Sequence, residues 1–162
     1  DTPDVIVRMR TAHDDATPNA NAVMISNLVA LSLLTGSSAY MDRAHAIARA
    51  FASDLGRNTL GHCGLLAGFY DLLAPQHIVV IAPEPGDIAS QPLARAMFDL
   101  SLPGAVQQVV GPSQTLASPS LAGKSTIQGM PTAYACIGPQ CSLPVTDPAA
   151  FSDLLLKQRA AP

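Results

Sequence analysis

Residues 75–83 read PQHIVVIAP, and at this stretch the hydrophobic period of the chain changes. Ile78 to Ile81 is a β-branched run bounded by Pro75 and Pro83, the composition of a buried strand. Downstream, Pro92 to Leu100 has helical spacing with a proline in its first turn, and Ala105 to Val110 is a second strand candidate. The order strand, helix, strand predicts one right-handed βαβ unit, joined by a third strand over Thr132 to Ile137. Asp147 followed by Pro148 reads as an N-cap and first-turn proline, opening a last helix to about Lys157. A Ser-, Pro- and Gly-rich loop fills the interval from Gly111 to Met130.

Upstream of Pro75 apolar residues recur at steps of three and four instead. After an extended start around Val5, Ile6 and Val7 and the polar loop HDDATPNAN, a helix is expected from near Asn21. Val23, Met24, Leu28, Leu31 and Leu34 would form its single buried face. Gly36 suits a left-handed stop. Ser37 or Ser38 would cap a second helix burying Tyr40, Ala44, Ile47, Ala48, Phe51 and Leu55 and ending at Gly56. A third helix is expected from His62 to Leu73. The fold class is thus α/β mixed: antiparallel helical hairpins over residues 1–75, then a small βαβ-plus-strand appendage and a C-terminal helix over residues 76–162.

Composition narrows the function. With 162 residues, 48% of them hydrophobic and 13% charged, the chain can bury a core. Nine Lys and Arg, scattered singly against a net charge of −3, form no stripe for a phosphate backbone, so nucleic acid is not an expected partner. No apolar run approaches the roughly 20 residues that span a bilayer, so no membrane partner is expected. Three cysteines without an N-terminal apolar signal fit a reducing cytoplasm. The chain starts at Asp1 without an initiator Met, which suggests that an N-terminal portion precedes it.

Three motifs carry potential chemistry. Cys136 and Cys141 flank Ile-Gly-Pro-Gln, a turn that can bring the sulfurs together. Two ordinary thiols is the favoured reading, ahead of a disulfide or redox pair and of half a zinc site, because no basic residue adjoins them and further ligands are remote in sequence. No metal and no cofactor is expected. AGKST at residues 122–126 is not a phosphate loop, since the position separated by four residues from its Gly-Lys is Ser118 rather than glycine. The loop with His13, Asp14, Asn19 and Asn21 holds the group types that bind sugar hydroxyls or move protons, so His13 and Asp14 are the catalytic candidates and Asp14, Asn19 and Asn21 the ligand-binding ones. The alternative for the same residues is helix capping.

The blocks HDDATPNANAV, LTGSSAYMDRA, HIVVIAP, LAGKSTIQGMPTAYAC and CSLPVTDP resemble, in order, the C-terminal part of a thioredoxin-domain-containing family whose animal members are called spermatogenesis-associated proteins. The resemblance implies a thioredoxin-like domain followed by a helical barrel similar to N-acylglucosamine epimerases and six-hairpin glycosidases. This chain would hold the last hairpins of that α/α barrel and its terminal appendage, with the rest of the parent chain as its partner and a carbohydrate as a candidate ligand. Asp14, Ala16, Pro18 and Asn21 match the loop pattern, while Asp15 and Ala20 replace glycines and Asn19 a serine. If the family's backbone takes positive φ there, Asp15 and Ala20 would pay for it. Tyr134, Cys136, Cys141, Pro144, Val145, Thr146 and Asp147 match as well. The resemblance implies a structural or binding module without independent catalysis, or alternatively part of a sugar-binding epimerase- or glycosidase-like enzyme with the Asp14 to Asn21 loop at the barrel rim.

Overall fold

The computed structural model describes residues 10–84, 92–111 and 119–160. The expected extended segment at Val5 to Val7 and residues 112–118 of the expected loop lie outside the described residues.

Helix α1 covers Ala20–Thr35, with Asn19 as N-cap and Gly36 at φ 72° closing it by donating its N–H to Ser32 O. That left-handed stop requires glycine twice over, because a Cβ on Gly36 would also meet Pro119. Helix α2 covers Ser38–Arg57. It passes through Gly56, which was expected to end it, and closes only when Asn58 N–H reaches Asp54 O. A glycine inside a helix costs about 1 kcal/mol relative to alanine, too little to stop a helix held by its buried face. A 3-10 turn at Leu60–His62 leads into α3, Cys63–Leu73.

Helix α1 packs against both α2 and α3, around a core that includes Ile25, Leu28, Val29, Ala44, Phe51 and Leu65. The expected face of α2 is present, Ala44, Ala48 and Phe51 being buried and Tyr40, Ile47 and Leu55 packed partly buried beside them. Of the expected face of α1 only Leu28 is buried. Ala22, Ile25, Leu28 and Val29 are buried, whereas Val23, Met24, Leu31 and Leu34 are 40–48% exposed. Apolar residues run all round α1, so periodicity could not select a face; the close approach of α3 did. Gly68 makes that approach possible, since a Cβ there would stand 2.9 Å from Ala22 O.

Beyond Pro75 the strands are β1 (Gln76–Ile81), β2 (Val106–Val110), β3 (Thr132–Ile137) and β4 (Gln140–Cys141), in the order β2-β1-β3-β4. β1 and β2 are parallel and joined through helix α4, Pro92–Phe98, as the βαβ reading requires. β3 runs antiparallel to β1, and the short β4, absent from the sequence reading, folds back on β3 through Gly138 at φ 55°. Helix α5, Pro148–Ala160, is opened by Asp147, whose carboxylate accepts from Ala150 N–H.

The β1 run is buried on both faces, which is why it reads as continuous β-branched residues rather than an alternation. Ile78 and Val80 join Leu93 and Met97 of α4 and Phe151 and Leu155 of α5. Val79 and Ile81 face the other way with Val110, Tyr134 and Leu121. Leu121 comes from the AGKST region, which lies over that face: Tyr134 Oη both donates to Ser125 O and accepts its N–H. Lys124 donates to Ser120 O.

Candidate functional site

The loop before α1 is bolted to the start of α3. Asn19 caps α1 by accepting from Asn21 N–H at 2.9 Å, and its amide nitrogen donates to Thr11 O and His13 O. Asn21 Nδ2 donates to Thr11 O at 2.9 Å. Asp14 accepts from Asn19 N–H at 2.8 Å through one oxygen and from Gly64 N–H at 2.7 Å through the other. Helix α3 has no side-chain cap of its own, so Asp14, fifty residues away in sequence, supplies the anion at its positive end. A Cβ on Gly64 would press on the Asp14 carboxylate, so the bare backbone lets that carboxylate approach closely.

Those two backbone donors, Gly64 first, hold the Asp14 carboxyl below its ordinary value of 3.8, against a smaller opposing effect of burial. The stability this bond set contributes is present above 3.8 and is lost as pH falls through the lowered folded value. Neither Asp15 nor Ala20 has positive φ, so the glycine replacements cost nothing here; Ala20 is simply the first residue of α1.

The loop also brings together residues that the sequence left apart. The rings of His13 and His62 meet edge-on with centroids 5.4 Å apart, and His62 Nδ1 lies 2.6 Å from Asn58 O. His13 is exposed while His62 is buried. Cys63 next to it is an exposed thiol facing Leu60 O. Among the described residues no three His, Cys, Asp or Glu side chains gather as a metal-binding group.

A second concave region was not read from sequence. A cleft of about 520 Å³ lies between α3, the start of β1, the turn at Leu102–Gly104 and the end of α5, lined by Leu66, Tyr70, Asp71 and Arg159 with Cys63 at its edge. Asp71 is held there by Ser26 Oγ, which donates to it at 2.6 Å, and by close packing on Gly104, whose φ is 78°.

The cysteine turn is the third region. Cys136 and Cys141 are directly paired residues of β3 and β4 and are joined as a disulfide. This replaces the favoured reading of two free thiols and that of half a zinc site, for a physical reason. The Gly138 turn closes a hairpin whose register sets the two cysteines opposite each other, which sequence spacing alone does not specify. On the other side of β3, Cys136 is in register with His77 of β1. His77 is 4% exposed and, among the described residues, its Nε2 has no hydrogen-bond partner. Sequence reasoning passed over His77; its one signal was a histidine leading into an otherwise apolar run.

The chain is similar to spermatogenesis-associated protein 20. It is 26% identical to the protein of that name from Rattus norvegicus over 156 residues, covering 94% of this chain and 20% of the relative. The Homo sapiens protein is 26% identical over 153 residues, covering 92% of this chain and 20% of the relative. The chain therefore spans about a fifth of the length of the curated relatives it matches. No family model and no solved structure matches it. Nearly all of the chain takes part in the similarity to spermatogenesis-associated protein 20, both the helical array and the sheet. Among the described residues no helix is long and apolar enough to cross a membrane.

Proposed function

We propose that this chain is a structural or binding module of a longer protein, with residues 1–75 and 76–162 as its two parts and no catalysis of its own. The observation that carries the reading is the second apolar face of α1, where Val23, Met24 and Leu31 are 40–48% exposed although the opposite face is buried. A helix apolar on all sides belongs in an interior. The similarity to a fifth of a longer relative supports the rest of such a polypeptide as the covering element. By the family resemblance, that remainder includes further helical hairpins and a thioredoxin-like domain.

Met24 tests this. Under dilute peroxide, its conversion to the sulfoxide, followed by mass spectrometry, will be at least several-fold slower in the full-length polypeptide than in the isolated chain. Equal rates in the two would remove the reading.

A second reading, that the Asp14 to Asn21 loop forms part of a carbohydrate-binding rim, is favoured by the exposed His13 ring set against His62 and by the neighbouring Asn21 amide. Asp14 and Asn19 would shape such a rim rather than touch the sugar, because their hydrogen-bonding groups are already engaged. A monosaccharide panel on the full-length protein would then raise Tm, with the rise lost in His13→Ala. No rise with any sugar eliminates it.

A further inference from the structure

The sheet face that carries the disulfide also carries a buried imidazole, His77, whose Nε2 has no hydrogen-bond partner among the described residues. In β3, Cys136 and Tyr134 project to the same side, as do His77 and Val79 in β1, and the register pairs His77 with Cys136 and Val79 with Tyr134. Directly opposed residues of antiparallel strands have Cβ atoms roughly 4.5–5.5 Å apart. Cys136 is 5% exposed, whereas Cys141, across the other edge of β3, is exposed. One sulfur of the bond thus belongs to an accessible residue and the other to a buried one beside an imidazole.

We propose that Cys136 and Cys141 form a dithiol–disulfide exchange site in which Cys141 receives the attack and Cys136 is the leaving sulfur, its thiolate accepting a hydrogen bond from His77. The reaction partner is a dithiol reductant. Its thiolate attacks Sγ of Cys141, the Cys136–Cys141 bond breaks, and the electron pair leaves on Cys136. The reductant's second thiolate then attacks its own sulfur in the mixed disulfide and releases Cys141. The reductant ends as a disulfide, and the two protons it lost end on the two cysteines, which have gained two electrons.

The surroundings of Cys136 favour this division of labour. While the disulfide is closed, His77 Nε2 has no partner; opening it creates an acceptor on the adjacent strand. Burial alone pushes a cysteine thiol up, and the His77 N–H opposes that. Tyr134 shares the face, with its hydroxyl committed to Ser125.

The test has two parts. In the Cys63→Ser protein, native-state treatment with dithiothreitol, quenched early and mapped by mass spectrometry, will trap the mixed disulfide on Cys141. A mixed disulfide on Cys136, or opening only in denaturant, overturns the proposal. In the Cys63→Ser, Cys141→Ser protein, the absorbance of the Cys136 thiolate near 240 nm will titrate about one unit below the free-cysteine value of about 8.5, a tenfold shift toward thiolate. Adding His77→Gln will raise that midpoint by about a unit. An unmoved midpoint in the His77 variant, or a midpoint at or above the free-cysteine value in its presence, overturns the role of His77; the second readout stands even if His77→Gln does not fold.

Discussion

Replacing Phe151 by alanine will lower the unfolding free energy by about 3–5 kcal/mol. Phe151 is wholly buried on α5 and packs with Ile78, Val80, Ala133 and Ala135 of the sheet and with Leu93 and Met97 of α4. Three elements converge on one ring, so none can close the cavity by moving without losing its other contacts, and the transfer loss is joined by a cavity term. Against a total stability of about 5–15 kcal/mol for a domain this is a large fraction. Urea denaturation followed by circular dichroism measures it, with Leu156→Ala, on the half-exposed side of the same helix, as the control that should cost well under half as much. A loss below about 1 kcal/mol at Phe151 would mean that α5 does not dock on the sheet as described.

Acidification from neutral pH toward pH 4 will remove about 3 kcal/mol of stability through His77 alone. Burial, reinforced by the charge of Lys124, takes its pKa from 6.5 down to about 4. The sign follows from proton counting. Between 6.5 and 4 the unfolded chain carries a proton on this histidine and the folded chain does not, so acid favours unfolding. The contribution is fully present above 6.5 and is lost progressively as pH falls toward the folded value; the span of 6.5 minus 4 at about 1.4 kcal/mol per unit sets the size. The Asp14 window lies lower, below 3.8, so the two are separable. Urea midpoints at pH 7, 5.5 and 4 for the unaltered chain and His77→Gln provide the measurement. Parallel curves for both proteins would show that His77 is not held neutral by the fold.

Several elements were readable because their signals are local. A proline-bounded β-branched run can only be satisfied as a strand with both faces covered, and Asn19 and Asn21 sit where a helix must find partners for its first N–H groups. Asp147-Pro148 opened α5 as expected for the same reason. The candidate loop was legible only as a collection of residue types. That Asp14 would cap α3 rather than α1 alone, and that His13 would meet His62, depend on a contact between segments fifty residues apart.

By itself, then, the sequence determined the order of the main helices and of the first three strands, the βαβ connection and the capping of α1 and α5, all of which follow from periodicity and from the hydrogen-bonding needs of neighbouring residues, while the short β4 escaped it. Only the tertiary structure decided which face of α1 is buried, because a helix apolar on every side leaves that choice to the neighbour, and α3 made it through the bare backbone of Gly68. It likewise decided the cysteine chemistry. Four intervening residues permit many turns, but a hairpin closed at Gly138 sets Cys141 on one side of Cys136 and the register of β1 sets His77 on the other.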